Sequence, residues 1–125
     1  MLAYLDGEPA AQAVRQVLRQ ARQRRLSVLL SIINYGEVLY VIEREQGLQS
    51  AQRTIGIIDQ LAIHVVPADR SLVFAAAHAK ARYSISYADA FCVAVAERTR
   101  GRIMTGDPEF AVIESVVGVD WLPDQ

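Results

Sequence analysis

Three acidic residues, Glu37, Asp89 and Asp107, stand near predicted helix starts in the sequence. In parallel sheets such starts collect at the carboxyl edge of the strands, so we expect these carboxylates to lie close together. At about 5 Å, each pair would repel by ~3 kcal/mol at an effective dielectric of ~20. Protonation of one group or a bound divalent cation relieves that repulsion, and Mg²⁺ or Mn²⁺ accepts all-oxygen ligands. The pattern therefore predicts a metal site suited to phosphodiester hydrolysis.

Each acid also has a purely structural interpretation. Asn34-x-x-Glu37 has the form of a capping box, which alone explains a glutamate at the third helical position. Asp107-Pro108 has the form of an N-cap followed by proline at the first helical position. Asp89, in a first turn, complements the helix dipole. Both interpretations stay open for each residue, because caps are common.

Helical and strand-like segments alternate along the chain without a linker or a repeat. Helices are predicted at 9–24, 34–46, from 48, after Asp69, and at 87–99, and a short helical turn after Asp107; strands are predicted at 27–31, 63–67, 102–105 and 116–122. This alternation predicts an α/β fold, a three-layer α/β/α sandwich with a mostly parallel sheet.

Composition narrows the class of protein. A chain of 125 residues, 52% of them hydrophobic, fits one domain over residues 1–125 with its own core. The sequence has no apolar run of about 20 residues, so we expect no membrane span, and the single cysteine, Cys92, fits a reducing, cytoplasmic location. The formal net charge of −1 means that any contact with nucleic acid must come from a local patch.

One such patch is available on the first helix. Arg15, Arg19 and Arg22 share a face of it, and they could contact RNA phosphates. A solvated helix face is the alternative interpretation of the same arginines.

The sequences around the three acids resemble those of a known family. Asn34-Tyr35-Gly36-Glu37-Val38-Leu39-Tyr40, Tyr87-Ala88-Asp89-Ala90-Phe91 and Met104-Thr105-Gly106-Asp107-Pro108-Glu109-Phe110 are similar to the acidic motifs of PIN-domain ribonucleases, with VapC toxins as the nearest match.

The resemblance implies a PIN fold and Mg²⁺- or Mn²⁺-dependent endonuclease activity on RNA. It also implies a VapB-like antitoxin partner and a homodimer. By position, Glu37, Asp89 and Asp107 match catalytic, metal-binding residues of the family, and Thr105 matches an accessory hydroxyl. Glu109 is a possible fourth carboxylate, although simple surface exposure is the alternative for it.

One departure from the family lies at the start of the chain. Leu2-Ala3-Tyr4-Leu5-Asp6-Gly7-Glu8-Pro9 resembles the stretch that follows the family's first strand, so that strand and its aspartate are missing, and Asp6 matches no ligand position. We expect either a true start further upstream, or a truncation repaired by swapping or dimerisation.

Two other functions stay open at this point. A PIN-like module could bind RNA or a protein partner without cleaving it. A phosphoacceptor domain also gathers acids at such a sheet edge, but it needs a nearby lysine, and the chain's only lysine, Lys80, lies in mid-helix.

Overall fold

A computed structural model of the chain describes the backbone of residues 9–123 and the side chains of residues 10–123. Its elements in chain order are α1 (Pro9–Arg22), β1 (Val28–Ser31), α2 (Ile32–Gln46), α3 (Leu48–Gln60), β2 (Ile63–Val66), α4 (Arg70–Arg82), α5 (Tyr87–Thr99), β3 (Ile103–Thr105), a 3₁₀ helix (Pro108–Ile113) and β4 (Val119–Trp121). The helix over 87–99 matches its prediction, while the strands at 27–31, 63–67 and 102–105 are each shorter by one residue.

The first helix ends in a backbone motif rather than at a glycine. Arg24 takes the left-handed conformation, with φ of 61°, and its N–H donates to the Ala21 carbonyl at 3.0 Å. The Arg25 N–H reaches back to the Gln20 carbonyl, also at 3.0 Å. These two bonds form a Schellman motif, which satisfies carbonyls that the helix leaves without partners. The helix therefore stops at Arg22, two residues before the predicted end.

The second helix begins earlier than the sequence predicts. It starts at Ile32, directly after β1, and the Ser31 hydroxyl accepts a hydrogen bond from the Asn34 N–H at 3.1 Å. That contact has the geometry of an N-cap, so Ser31 takes the capping role that the sequence assigns to Asn34. Glu37 is then the sixth helical residue, and the capping-box interpretation of Asn34-x-x-Glu37 is wrong.

The described strands form two pairs, β1 with β2 and β3 with β4. The second pair is parallel, with Ile103 opposite Val119 and Thr105 opposite Trp121. The last strand covers only three of the residues predicted at 116–122. Its predicted first part is a turn instead, because the N–H groups of Val116 and Val117 both donate to the Ile113 carbonyl, at 2.9 and 3.0 Å, rather than to a neighbouring strand.

Two compact units make up the described chain. One contains α1, α2 from Tyr35, α3 and the paired β1 and β2 up to Leu30 and Val65; the other contains Ser31–Asn34 and Val66–Leu122. The first unit buries Val14, Leu18, Ile42 and Ile58, whereas the second buries Leu72, Ala76, Phe91, Val93 and Ile113. In the second unit α4 packs against α5, whose small residues Ala90, Ala94 and Ala96 are buried.

Two further predictions concern helix packing. Asp69 does cap α4, since its carboxylate accepts the Leu72 N–H at 2.8 Å. The apolar pattern predicts that Leu72, Ala75, Ala76 and Ala79 all face inward on α4; three of them are buried, but Ala75 is exposed. No helix among the residues described combines the length and the apolar content that crossing a membrane requires.

Candidate metal centre

The second unit brings three carboxylates together. One oxygen from each of Asp89, Asp107 and Glu109 lies within 4.8 Å of the others. Asp89 is partly buried, while Asp107 and Glu109 are exposed. Exposure places their charges in a water-like dielectric, which lowers their mutual repulsion below the figure for a buried group. The group is therefore open to solvent on the side of Asp107 and Glu109.

Asp107 is fixed by the turn that leaves β3. Its Oδ1 accepts the Glu109 N–H at 2.9 Å, which makes it the N-cap of the 3₁₀ helix, with Pro108 at the first helical position. Its own N–H donates to the Thr105 Oγ1 at 3.0 Å. The N-cap predicted for Asp107-Pro108 is therefore present. Because the cap uses Oδ1, the second carboxylate oxygen is not needed for it.

Asp89 occupies the first turn of α5. The hydroxyl of Ser86, the N-cap residue, accepts the Asp89 N–H at 3.1 Å. The carbonyl of Ala88, one residue earlier, accepts a hydrogen bond from the Asn34 Nδ2 at 2.9 Å. These bonds fix the backbone from which the Asp89 carboxylate projects, and the nearby helix N-terminus favours its charged form.

Glu109 joins the group through its position two residues after Asp107. Sequence reasoning treated it as a possible fourth carboxylate and favoured plain exposure, and the structure gives it both exposure and membership of the group. The sequence feature that indicates this position is the N-cap at Asp107, because the capping bond holds the Glu109 N–H against the Asp107 carboxylate. Buried Phe110 and Ile113 anchor the same 3₁₀ helix in the second unit.

Glu37, the third ligand predicted from the sequence, belongs to the first unit. It lies within α2 and is partly buried. Within residues 9–123, no hydrogen bond or ion pair to another described residue engages its carboxylate. With the capping box gone, no local structural role accounts for this acid, and its role as a ligand stays a prediction.

The donor set fits Mg²⁺ or Mn²⁺. Both ions favour carboxylate oxygens, and metal–oxygen distances of about 2.1 Å place two ligands of one ion at most ~4.2 Å apart. Oxygens within 4.8 Å of one another reach that spacing after small rotations, which the exposed side chains of Asp107 and Glu109 allow. Mg²⁺ usually keeps several waters and binds proteins through few carboxylates, which suits a small and solvent-open donor set such as this one.

Cys92 is excluded from chemistry at this centre. Burial, together with the charge of Asp89, raises the pKa of its thiol to about 12. A thiolate is the reactive and metal-binding form, so at neutral pH Cys92 is a protonated packing residue.

Other side chains that can bind a metal or a nucleic acid lie outside the carboxylate group. His64 is exposed on β2 and His78 is exposed on α4. Tyr35 is buried, and its hydroxyl donates to the Asp59 Oδ1 at 3.1 Å. Burial and this bond to a carboxylate raise the pKa of Tyr35 above its usual value of 10.0. Arg15, Arg19 and Arg22 are exposed on α1 in the first unit.

The PIN domain family matches residues 1–115 of the chain. The chain belongs to the PIN domain family. Among solved structures, it is similar to a chain of VapBC2 from Rickettsia felis bound to a DNA fragment from its promoter, with a TM-score of 0.73 and 12% identity over 97% of this chain and 91% of that one. It is also similar to a chain of a toxin–antitoxin complex from Klebsiella pneumoniae, with a TM-score of 0.53 and 16% identity over 72% of this chain and 69% of that one.

These likenesses confirm the predicted fold class, an α/β fold of the PIN type. A search of curated proteins found no match. The segment that carried the prediction about the family's first strand, residues 1–8, lies outside the described residues.

Proposed function

We propose that this PIN domain is a divalent-metal-dependent endoribonuclease and the toxin of a VapBC-type toxin–antitoxin pair. The observation that carries the proposal is the group of Asp89, Asp107 and Glu109, whose carboxylate oxygens converge at the start of α5 and of the 3₁₀ helix. Membership of the PIN family supplies the nuclease class, and similarity to chains of two toxin–antitoxin complexes supports the toxin role.

Four acids are the proposed ligands of Mg²⁺ or Mn²⁺: Glu37, Asp89, Asp107 and Glu109. When bound, the cation would neutralise charge that develops on the phosphate oxygens and lower the pKa of a water molecule. Thr105 has a positioning role, because its hydroxyl holds the backbone of Asp107. Asp107 and Glu109 hold the exposed side of the group, where a phosphodiester can approach.

The proposed partners follow from the same family. They are an RNA substrate, a VapB-like antitoxin that blocks the site, and a second copy of the chain in a homodimer, all in the cytoplasm. The VapBC2 complex from Rickettsia felis was solved with promoter DNA. A complex of this chain with its antitoxin can be tested for DNA binding in the same way.

A second candidate function is a PIN module that binds without cleaving. Its support is that Asp107 serves as an N-cap and Asp89 stands in a capped first turn, which are structural roles in their own right. The two candidates differ in one outcome, which is whether the acids are needed for hydrolysis or only for folding.

Cleavage of a labelled RNA under added Mn²⁺ tests the proposal. Asp89→Asn keeps the size of the side chain and removes its charge, and we expect the cleavage rate to fall by at least about 100-fold, because several kcal/mol of charge stabilisation is lost. Asp69→Asn is the matched control, since Asp69 also sits at a helix start but belongs to another helix. Hydrolysis that survives in Asp89→Asn would leave the binding module as the better function.

The role of Glu37 needs its own variant pair. Glu37→Gln should reduce cleavage as strongly as Asp89→Asn, whereas Glu43→Gln, an exposed acid on the same helix, should leave it unchanged. Equal activity of the two variants would remove Glu37 from the proposed ligands and leave the other three.

A further inference from the structure

Positive charge is concentrated in one part of the chain. Residues 9–36 contain five arginines and no acidic residue. Of the 13 basic and 14 acidic residues, the remainder of the chain therefore holds eight basic and fourteen acidic ones. The overall charge of −1 hides this separation, because it averages a strongly basic segment with an acidic remainder.

The structure gathers three of these arginines along one groove of the first unit. Arg15, Leu18, Arg19 and Arg22 line it from α1, and Gln60, Leu61 and Ala62 line it from the last residue of α3 and the two residues that follow; these seven residues are called the arginine groove. Its volume is about 470 Å³. A rise of ~1.5 Å per helical residue sets the three arginine positions along about 10 Å of the helix axis. Arg24 and Arg25 are exposed directly after the helix and extend the charge.

Nothing within the described chain neutralises this surface. The ion pairs found among residues 9–123 involve Arg82, Arg98 and Arg102, and none involves an arginine of α1. The helix dipole accounts for cations in a last turn, which covers Arg19 and Arg22. It does not account for Arg15 in mid-helix. An anionic partner that spans the five arginines would lower the electrostatic repulsion among them.

We propose that the arginine groove binds the phosphodiester backbone of single-stranded RNA. This rests on the proposed function, which makes RNA the substrate. Guanidinium groups match phosphate oxygens with paired hydrogen bonds, and all five basic residues of the segment are arginine. Residues 9–34 contain no aromatic side chain on which a base could stack. The lining therefore favours contact with the phosphate backbone over stacking of the bases.

An acidic peptide is the other polyanion that such a groove could take. Peptide grooves bind tightly where an apolar or aromatic anchor fills a desolvated pocket. Here Leu18, the apolar residue of α1 that borders the groove, is already buried, and Leu61 is only partly exposed. The exposed lining consists mainly of the arginines and Gln60, which favours a phosphate backbone over an anchored peptide.

The test measures binding of a fluorescent 12-nucleotide single-stranded RNA of mixed sequence to the full chain, across a range of KCl concentrations and with chelator present to prevent cleavage. The triple variant Arg15→Gln/Arg19→Gln/Arg22→Gln keeps good helix formers on an exposed face. Each phosphate contact contributes ~0.7 to the slope of log affinity against log salt. The triple variant should therefore lose up to ~2 from that slope and bind up to ~100-fold more weakly at 0.1 M KCl.

The matched control removes the same charge elsewhere. Arg44→Gln/Arg53→Gln/Arg70→Gln changes three exposed arginines on α2, α3 and α4, and it should retain wild-type binding. Circular dichroism of both triple variants shows that the helices are kept. The proposal is overturned if both triples weaken binding equally, since net charge alone would then explain the loss. It is equally overturned if the groove variant binds the RNA as the wild type does.

Two competing ligands complete the experiment. A Glu-rich 12-residue peptide and a 12-base-pair DNA duplex are titrated against the wild type and the groove variant. If only the peptide or only the duplex loses affinity in the groove variant, the groove is a site for that ligand and the RNA proposal is overturned.

Cleavage under added Mn²⁺ separates this proposal from the proposed function. If the groove variant keeps the wild-type rate at saturating RNA and shows a raised KM, both stand. If RNA binding depends on the groove but the wild type does not cleave RNA, only the proposed nuclease function is contradicted. If the wild type cleaves RNA and the groove variant binds it as tightly as the wild type, only the proposed RNA-binding role of the arginine groove is contradicted.

Discussion

The carboxylate group and the arginine groove have the same electrostatic problem with opposite signs. In the second unit, Asp89, Asp107 and Glu109 crowd three negative charges within 4.8 Å. In the first unit, five arginines stand in a segment without an acid. The carboxylates are backed by caps and turn hydrogen bonds, whereas no ion pair within residues 9–123 engages the arginines of α1. The comparison teaches that backbone structure can hold like charges close together, and that a ligand of opposite charge then relieves their repulsion.

The largest expected effect is a cation that stabilises the carboxylate side alone. At 100 times its Kd, Mn²⁺ would raise the free energy of unfolding by ~2.7 kcal/mol, equivalent to a Tm increase of roughly 8–15 °C for a domain of this size. Asp107→Asn should abolish the increase while keeping the helix start, because asparagine caps helices as well as aspartate.

Differential scanning fluorimetry with and without Mn²⁺ measures the shift. Asp69→Asn, which changes the same residue type at the N-cap of α4, should respond to Mn²⁺ as the wild type does. An undiminished Tm shift in Asp107→Asn would show that the cation binds elsewhere. The carboxylate group would then not be a binding site for an ion of opposite charge, and its parallel with the arginine groove would fail.

A smaller effect comes from two arginines at equivalent helix ends. Arg24 and Arg100 both take left-handed conformations, with φ of 61° and 54°, in the same motif; the Gly101 N–H donates to the Ala96 carbonyl as the Arg25 N–H does to Gln20. Glycine adopts this conformation without the steric cost of a Cβ, so each Arg→Gly change should add up to about 1 kcal/mol of stability, partly offset by greater freedom of the unfolded chain.

RNA binding should separate the two variants. Arg24→Gly removes a charge next to the arginine groove and should lower the salt slope by ~0.7, whereas Arg100→Gly should leave it unchanged. Thermal melts of both variants measure the change in stability, and salt titrations of RNA binding measure the change in slope. If the slope changes equally in both, the positive charge acts without regard to position.

The smallest effect is the share that the Asp89 charge has in the titration of Cys92. Its thiol pKa is raised to about 12 from 9.0, so the folded state prefers the protonated thiol. Stability from this group is complete below about pH 9 and is lost as the pH rises toward 12. Asp89→Asn should lower the pKa of the thiol, although most of the shift should remain because burial is its first cause.

Ultraviolet absorbance of the thiolate follows this titration, with Cys92→Ala as the blank. A pKa that does not move in Asp89→Asn would mean that the Asp89 charge does not reach the thiol, and that the carboxylate group is better screened than its geometry indicates.

Periodicity and cap chemistry predicted much of the fold. The helix at 87–99 is set by its buried small residues and the Ser86 cap, both local features, and the Asp69 cap is equally local. The start of α2 was misplaced because Ile32 and Ile33 look like a continuing strand, yet they are exposed and helical after Ser31. Ser31 ends one element and caps the next, a double role that no periodicity reveals.

The carboxylate group was only partly accessible from the sequence. Asp89 and Asp107 follow from motifs, but the proximity of Glu109 depends on the 3₁₀ geometry that the Asp107 cap imposes. The hydrogen bond of Tyr35 was also not predictable, because its partner Asp59 lies 24 residues away along the chain. Long-range pairing of this kind leaves no local pattern.

The short pairing of β3 with β4 has a practical consequence for anyone who produces this protein. The family match ends at residue 115, but β4 begins at Val119, and the Leu122 N–H donates to the Thr105 carbonyl at 2.8 Å. Two guanidinium nitrogens of Arg102 also donate hydrogen bonds to the Asp120 carboxylate, at 2.9 to 3.1 Å. An expression boundary drawn at the family limit would strip β3 of its neighbour and loosen the threonine that steadies Asp107. Recombinant versions should therefore retain the chain through at least Leu122.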